Sequence, residues 1–210
     1  MQNLNSIKNI IFDLGGVLLN IDFTLTTQAF EKLGVYKFDA IYSKAGQNPL
    51  FDNFESGKYS PEEFRMELKK FLPKEINPMQ LDYAWNEMLL DLPPARLELL
   101  STLKNNYRLF LLSNTNAIHI GAYSSYLNKL YGFVDLSHIF EKEYYSFQIG
   151  LRKPNVEIFD FVLKENNLIA QETLFIDDSL QHIEGAQKLG LNTFHLKTNQ
   201  SILDINFEIN

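Results

Sequence analysis

Short apolar runs recur along the chain and predict buried β-strands. Such runs are typical of parallel strands covered on both faces, because neither face of the strand meets water. Four runs show the pattern clearly and a fifth is weaker: Asn9–Phe12, Arg108–Leu112, Thr173–Ile176 and Asn192–His195, with Lys142–Tyr145 as the weaker candidate. The pattern therefore favours a sheet of parallel strands.

Helical spacing fills the intervals between these runs from residue 94 onward. Leu97, Leu100 and Leu103, for example, share one stripe of a helix. The helices predicted by this spacing are Pro94–Asn105, Pro154–Asn166 and Gln181–Leu189, the last of which is followed by Gly190, a natural stop signal. Helices that alternate with apolar strands predict a doubly wound α/β sheet.

Residues from about 21 to 91 interrupt this alternation and predict a helical insert. They contain several helical patterns and no clear strand. The strongest helix start is Ser60, which can cap the helix while Glu63 completes a capping box. The sequence thus predicts a core domain of residues 1–20 and 92–210, with a helical domain of residues 21–91 inserted after the first strand.

Composition and charge narrow the possible partners. The chain has 210 residues, 45% of them hydrophobic and 21% charged, which is enough apolar material for a sizeable core. The net charge of −7, without a long basic run, argues against nucleic acid but allows one small phosphorylated substrate. Cysteine is absent, so a cytoplasmic setting is the default expectation, and no apolar run approaches a membrane span.

The first predicted strand ends in a carboxylate followed by two glycines. Ligands of open α/β sheets bind beyond the C-terminal ends of the strands, which is where Asp13 lies. A carboxylate in such a turn can attack phosphorus, and Gly15 and Gly16 allow backbone N–H groups to approach phosphoryl oxygens. The simpler alternative for Asp13 taken alone is that it caps the turn.

A pair of carboxylates, Asp177 and Asp178, follows a later strand. Adjacent carboxylates repel each other unless a cation or hydrogen-bond donors lie between them. Mg²⁺ prefers one or two carboxylates together with phosphate and water oxygens. Asp13, the Gly15 carbonyl and Asp178 could supply its protein ligands, with Asp177 holding a bound water. The alternative is a solvated acidic turn that caps the next helix.

Polar side chains also follow the second strand and precede a predicted helix. Ser113 and Asn114 can donate hydrogen bonds to phosphate oxygens, although ordinary turn chemistry would also explain them. Lys153 comes just before Pro154, which is predicted to begin a helix, and a cation is disfavoured beside a helix N-terminus. A nearby anion would remove this conflict. Arg152 could bind the anion instead, and Lys153 would then be a solvated loop residue.

The order and spacing of these groups resemble the haloacid dehalogenase superfamily. Its four motifs stand here as Asp13–Leu18, Ser113-Asn114, Lys153-Pro154 and Asp177-Asp178, within a resemblance that spans residues 7 to 195. The resemblance implies a Rossmann-like core and places the helical insert as a type-one cap. Longer stretches are similar to the subgroup of bacterial α-D-glucose-1-phosphate phosphatases: Asp13–Phe23, Leu112–His119, Gly150–Pro154 and Ile183–Gly190.

The resemblance also implies roles and an activity. Asp13 is implied to be the nucleophile that forms an aspartyl-phosphate, and Lys153 the cation that neutralises nucleophile and phosphate. The implied Mg²⁺ ligands are Asp13, the Gly15 carbonyl and Asp178, with Asp177 close by. Ser113 and Asn114 are implied to contact the phosphoryl group. The implied activity is Mg²⁺-dependent hydrolysis of a small phosphorylated metabolite, such as the sugar phosphate glucose 1-phosphate.

Two positions depart from the superfamily pattern. Gly15 stands where most phosphatases of the superfamily carry a second Asp, and general acid–base help of this kind is worth about 10²- to 10⁴-fold. Asp22 and His119 are possible substitutes, although a helix cap and a packed helix residue are the simpler explanations for them. His182 stands where many relatives have Asn. It could support the acidic pair from behind, but a solvated helix residue is the simpler expectation.

Two other functions remain open. A dehalogenase would use the same Asp13 without metal, but the pair Asp177-Asp178 favours a metal. A non-catalytic protein that binds phosphorylated ligands is the second alternative, suggested by Gly15. Specificity is expected to come from the cap, whose candidate aromatic linings, each more often a core residue, are Phe23, Phe51, Phe54, Tyr59 and Trp85.

Overall fold

A computed structural model describes residues 6–36, 38 and 49–207. Its central feature is one parallel sheet with the strand order β3-β2-β1-β4-β5. The strands are β1 (Asn9–Phe12), β2 (Arg108–Ser113), β3 (Lys142–Tyr145), β4 (Thr173–Asp177) and β5 (Asn192–His195). The predicted strands are confirmed, including the weaker one. Because β1 is the middle strand, the residue after it lies at the centre of the C-terminal edge.

Helices occupy most of the remaining described chain. They are α1 (Phe23–Lys32), α2 (Pro49–Glu55), α3 (Pro61–Lys69), α4 (Pro78–Asn86), α5 (Pro94–Leu103), α6 (Ala117–Tyr131), α7 (Ser146–Ile149), α8 (Val156–Glu165) and α9 (Leu180–Gln187), with short 3₁₀ turns at Ala170–Glu172 and Ile202–Asp204. None of the helices in the described part of the chain combines the length and apolar character that crossing a membrane requires.

The predicted capping box at the start of α3 is confirmed. The Ser60 hydroxyl accepts the Glu63 N–H at 3.2 Å, and the Glu63 carboxylate accepts the Ser60 N–H at 2.8 Å. Phe64 and Leu68 on this helix are fully buried. Two donors that the first turn would leave without helical partners are thus satisfied locally, which explains why the helix begins there.

The sheet is covered on both faces, as a doubly wound fold requires. Ile10 and Phe12 belong to the apolar cluster on one face, whereas Ile11 between them belongs to the cluster on the other. A third cluster combines Ile118 of α6 with buried apolar residues of α1 to α4, such as Phe30, Phe54 and Trp85. The insert therefore has its own apolar centre, while its boundaries at residues 21 and 91 stay predictions.

One predicted helix start is wrong. The helix was expected to begin at Pro154, but α8 begins at Val156 because Asn155, which precedes it, has extended backbone angles of −61° and 136°. The Lys153–Pro154 peptide bond is cis. Lys153 therefore lies in a loop three residues before the helix rather than directly against its first turn.

Candidate active site

Asp13 is fixed at the centre of the C-terminal edge of the sheet. Its N–H donates to the Ile176 carbonyl of β4 at 2.9 Å, which continues the sheet hydrogen bonds one residue beyond β1. Its carboxylate accepts the Leu14 N–H at 2.7 Å, and the side chain is only 10% exposed. Asp13 thus caps the turn, which was the simpler alternative considered for it, but its carboxylate also contacts a buried cation.

That cation is Lys153, whose side chain is fully buried. Its Nζ lies 2.9 Å from Asp13 Oδ1 and 2.7 Å from Asp177 Oδ2, and it donates to the Leu112 carbonyl at 2.9 Å. Burial alone would lower the pKa of Lys153, but the two carboxylates outweigh burial and raise it above its ordinary value. The sequence indicated an anion beside Lys153. In the structure, carboxylates of the protein itself take this position.

Asn114 holds the backbone of Lys153. Its Oδ1 accepts the Lys153 N–H at 2.9 Å, and its Nδ2 donates to the Lys153 carbonyl at 2.8 Å. One amide hydrogen of Asn114 is left for a ligand. Ser113, at the end of β2, is 3% exposed, and both it and Asn114 line a cavity above Asp13. Contact of these two residues with a phosphoryl group stays a prediction.

Asp177 is surrounded by donors. Its Oδ1 accepts the Ser179 N–H at 2.8 Å, its Oδ2 pairs with Lys153, and His182 Nδ1 lies 3.0 Å from both oxygens. Burial raises the pKa of Asp177, but Lys153 and His182 outweigh it and hold the pKa below its usual range. These contacts use most of the acceptor capacity of the carboxylate, so Asp177 is better suited to hold Lys153 than to bind a metal directly. Its predicted water-mediated role stays a prediction.

The expectation that His182 is a solvated helix residue is wrong. The side chain is only 19% exposed because the first turn of α9 directs its ring back towards Asp177. Burial, followed by the charge of Lys153, lowers the pKa of His182 despite this carboxylate. His182 therefore supports Asp177 as a neutral hydrogen-bonding partner at pH 7.

Asp178 lies against the glycine turn that follows Asp13. A Cβ at position 16 would be 2.5 Å from Asp178 Oδ2, and the φ angle of Gly16 is +79°, so both space and backbone conformation require glycine. The Asp178 carboxylate thus lies beside the backbone of Gly16. This is the neighbourhood in which the sequence predicts a metal bound by Asp13, the Gly15 carbonyl and Asp178.

The electrostatics of this group suit an added cation. Burial raises the pKa of Asp13 to about 8, and Asp177 and Asp178 add to the effect while Lys153 opposes it. One ammonium therefore does not balance three carboxylates. Ligand atoms of Asp13, Asp177 and His182 lie within 4.8 Å of one another, but two of these residues bind each other. Oxygen donors from Asp13, Gly15 and Asp178 suit a hard divalent ion such as Mg²⁺ better.

Both proposed substitutes for the missing acid have structural roles, although His119 also lines the cavity above Asp13. Asp22 caps α1, since its carboxylate accepts the Thr24 N–H at 2.9 Å. His119 is buried, stacks on Trp85 with ring centroids 5.0 Å apart, and places Nδ1 2.9 Å from Asn86 Oδ1. Burial lowers the pKa of His119 to about 3, so the ring carries no proton to donate from a charged form at pH 7. The structural roles weighed for both residues are the ones observed.

A cavity of about 390 Å³ lies above these groups, between the sheet edge and the cap. Of the five candidate aromatic residues, Phe23 and Phe51 line it, while the others do not; Phe54 and Trp85 are buried in the cap cluster and Tyr59 packs against that cluster. Three charged lining residues come together here, Asp52, Glu55 and Arg152. The sequence indicated Arg152 only as an alternative to Lys153 for binding an anion, and it gave no sign of the two acids. No local pattern marks them, because their contacts join segments about a hundred residues apart.

A second cavity, of about 430 Å³, lies at the opposite edge of the sheet. Of its three cations, Lys8 and Arg108 are paired with Glu172 and Glu141, and Lys104 donates to the His138 carbonyl. It contains none of the predicted site residues, so its slightly larger volume does not make it the better candidate.

Comparison with known proteins agrees with this geometry. The family of haloacid dehalogenase-like hydrolases matches residues 7–190. A D-ribitol-5-phosphate phosphatase of Bacteroides thetaiotaomicron is 36% identical over 193 residues, which are 90% of this chain and 91% of that protein.

Solved structures are similarly close. A haloacid dehalogenase family enzyme of Bacteroides thetaiotaomicron, an aspartate-to-alanine variant in complex with magnesium and inorganic phosphate, has a TM-score of 0.87 at 34% identity and covers 92% of this chain and 96% of that one. A haloacid dehalogenase-like hydrolase of Porphyromonas gingivalis has a TM-score of 0.84 at 34% identity, with 93% of each chain covered.

These findings confirm the superfamily but not the subgroup. The curated relative at 36% identity is named a ribitol-5-phosphate phosphatase, not a glucose-1-phosphate phosphatase. The match extends over nearly the whole chain, and the parallel sheet has the topology expected from the sequence. The chain therefore belongs to the haloacid dehalogenase-like hydrolases.

Proposed function

We propose that this protein is a Mg²⁺-dependent phosphatase of small phosphorylated metabolites that forms an aspartyl-phosphate on Asp13. The observation that carries the proposal is the buried Lys153 ammonium, 2.9 Å from Asp13 and 2.7 Å from Asp177 beneath a polar cavity. A carboxylate with a fixed cation beside it and open space above it is arranged for attack on a phosphate ester. The phosphatase among the relatives supports the same activity.

The residues divide the chemistry as follows. One oxygen of Asp13 attacks phosphorus and the bond from phosphorus to the ester oxygen breaks; the ester oxygen takes up a proton from solvent and leaves as the alcohol. Water then attacks the phosphorus of the aspartyl-phosphate and gives up a proton to solvent, the bond from phosphorus to the Asp13 oxygen breaks, and inorganic phosphate is released with Asp13 regenerated. Lys153 stays charged throughout and neutralises the growing negative charge, while Asn114 and Asp177 keep its ammonium in place.

The metal site belongs to the same proposal. Asp13, the Gly15 carbonyl and Asp178 are the residues that would hold Mg²⁺. When bound, this ion supplies positive charge that favours ionised Asp13 and offsets the charge of the phosphoryl oxygens. The magnesium complex of the structural relative supports this assignment.

A phosphorylated alditol or sugar is the proposed substrate class. Ribitol 5-phosphate ranks before the glucose 1-phosphate expected from the sequence, because the similar enzyme is named for it. The cavity of about 390 Å³ is within the usual size range of small-molecule sites. A cytoplasmic setting, in which such metabolites occur, is part of the proposal.

The test is phosphate release from an aryl phosphate, ribitol 5-phosphate and glucose 1-phosphate, measured with Mg²⁺ and with EDTA. We expect activity with Mg²⁺, loss of activity with EDTA, recovery when Mg²⁺ is added back, and no activity in Asp13→Asn. Activity of Asp13→Asn equal to that of wild type would contradict the proposed mechanism. Phosphate release that survives EDTA would favour metal-independent hydrolysis on Asp13. Metal-independent release of halide from a haloacid, without phosphate release, would favour the dehalogenase. Saturable Mg²⁺-dependent ligand binding without turnover would favour a binding protein.

A further inference from the structure

One wall of the cavity is an ion-pair bridge between the core and the cap. Arg152, in the loop before α8, donates through one terminal nitrogen to the Asp52 carboxylate and through the other to Glu55 Oε2 at 2.8 Å. Both acids lie on α2, and all three residues line the cavity. The wall therefore presents charged groups to whatever part of the substrate extends from the phosphate.

The bridge has more acceptor capacity than Arg152 satisfies. Two carboxylates meet one guanidinium, and each hydrogen bond found uses one oxygen of each acid. The side chains are only 25% exposed for Arg152, 32% for Asp52 and 17% for Glu55. Burial raises the pKa of Glu55 although Arg152 opposes this effect. Partly buried carboxylates of this kind are stabilised by further donors.

Arg152 itself is incompletely satisfied. Its Nε is buried and, within the described residues, has no hydrogen-bond partner. A buried N–H of a guanidinium is costly to leave without an acceptor. Because this nitrogen is buried, what the wall offers a ligand is the remaining acceptor capacity of its carboxylates, which a hydroxyl group can use as a donor.

The backbone around the bridge is closely packed. Gly57, just after α2, has a φ angle of +70°, and a Cβ there would lie 2.0 Å from the Phe147 carbonyl oxygen of α7. The end of α2 therefore contacts the core backbone directly. This contact limits movement of Asp52 and Glu55 relative to Arg152, so the wall is organised before substrate arrives.

We propose that Asp52 and Glu55, oriented by Arg152, bind hydroxyl groups of the alcohol portion of the substrate and make the enzyme select polyhydroxylated phosphate esters. The inference rests on the proposed phosphatase function and names the residues that set its specificity. A hydroxylated chain satisfies the acceptors of the wall, whereas an alkyl chain of the same length displaces water from them and gives no donors in return. Sites built for hydroxyl recognition reject analogues that lack the hydroxyl for this reason.

The experiment compares ribitol 5-phosphate with n-pentyl phosphate, which has the same carbon chain without hydroxyls. The measured quantity is the ratio of kcat/KM for the two esters in wild type, Asp52→Asn and Glu55→Gln. We expect wild type to prefer ribitol 5-phosphate and each variant to reduce that ratio about tenfold or more. Using a ratio removes any effect that acts equally on both esters.

Asp82→Asn is the matched control. Asp82 forms a comparable pair with Arg65 in the cap, with hydrogen bonds of 2.8 Å and side chains 28% and 23% exposed, but neither residue lines the cavity. We expect this variant to keep the wild-type ratio. A ratio that is unchanged in both wall variants, or that falls equally in Asp82→Asn, would overturn the proposal.

A measurement on wild type alone guards against variants that do not fold. Free ribitol is expected to inhibit hydrolysis of an aryl phosphate at lower concentration than 1-pentanol does, because it retains the hydroxyls that the wall binds. Equal inhibition by the two alcohols would contradict the inference. Absence of hydrolysis of every ester would instead contradict the proposed function, so the two failures are distinguishable.

Discussion

The Asp178 carboxylate occupies the space that a side chain at Gly16 would fill. A Cβ at position 16 would lie 2.5 Å from Asp178 Oδ2, and the positive φ angle of this glycine disfavours any other residue. The two motifs at the ends of β1 and β4 therefore fit together only because residue 16 has no side chain. A substitution at Gly16 should act on the predicted metal ligand next to it.

We expect Gly16→Ala to weaken Mg²⁺ activation, because the methyl group displaces Asp178. The Mg²⁺ concentration for half-maximal activity should rise about tenfold or more, as for other changes that misorient metal ligands. The measurement is a Mg²⁺ titration of aryl phosphate hydrolysis. Gly121→Ala is the control, since nothing lies within 4 Å of that position in α6. Unaltered activation in Gly16→Ala would argue against Asp178 as a ligand.

Lys153→Met should abolish most of the activity. It removes the cation that lies between Asp13 and Asp177, and loss of one electrostatic stabiliser commonly costs about 100-fold or more in kcat. We also expect the free energy of unfolding to fall by about 3 kcal/mol, since two buried carboxylates lose their partner. Kinetics and urea denaturation measure the two effects. The exposed Lys164, paired with Asp160, supplies the control Lys164→Met, and equal effects of both variants would contradict the assigned role.

His119 should make stability depend on pH. Its pKa is about 3 in the folded protein and about 6.5 when unfolded, so it contributes stability above pH 6.5 that is lost as pH falls towards 3. Between pH 7 and pH 5 this loss is about 2 kcal/mol in the free energy of unfolding. We expect His119→Phe to show a correspondingly smaller decline by urea denaturation at the two pH values. The same decline as in wild type would show that His119 is not the group responsible.

Restoring a carboxylic acid at position 15 should increase turnover. A Cβ at Gly15 would lie 3.3 Å from Ile21 Cδ1, which is tight, so the test combines Gly15→Asp with Ile21→Ala. We expect the double variant to exceed Ile21→Ala in kcat by about tenfold or more, since general acid–base help is worth about 10²- to 10⁴-fold. Steady-state kinetics with an alkyl phosphate, whose alcohol needs a proton on leaving, measures the gain. No gain would mean that the proton already comes from another group.

The parts of the fold that could be predicted are those with local signals. The apolar run Asn9–Phe12 and the capping box at Ser60 each satisfy a short-range requirement, and both are confirmed. The predicted start of α8 was wrong. Pro154 satisfies the sequence rule for a first helical residue, but the backbone becomes helical only at Val156. Local rules give the existence of an element more reliably than its boundary.

The carboxylates and the lysine of the candidate site could be predicted to lie close together, because the C-terminal ends of parallel strands lie at one edge of the sheet. The side-chain partners of these residues could not be predicted. His182 was misjudged because the direction of a side chain at a helix start depends on the tertiary environment. The bridge from Arg152 to Asp52 and Glu55 joins residues 100 and 97 positions apart, and nothing local to either segment indicates it.

The position of the Lys153 nitrogen has an evolutionary consequence. Two separate segments fix it: at the end of β2 the Leu112 carbonyl accepts from it and Asn114 holds the Lys153 backbone, and at the end of β4 Asp177 pairs with its charge. A change at residue 114 alone would shift the Lys153 ammonium, and a change at residue 177 alone would remove a carboxylate that keeps it charged. Neither change would supply another cation in its place. Lineages descended from this chain should therefore inherit residues 114, 153 and 177 as a set, and replacement of one should be accompanied by replacement of the others.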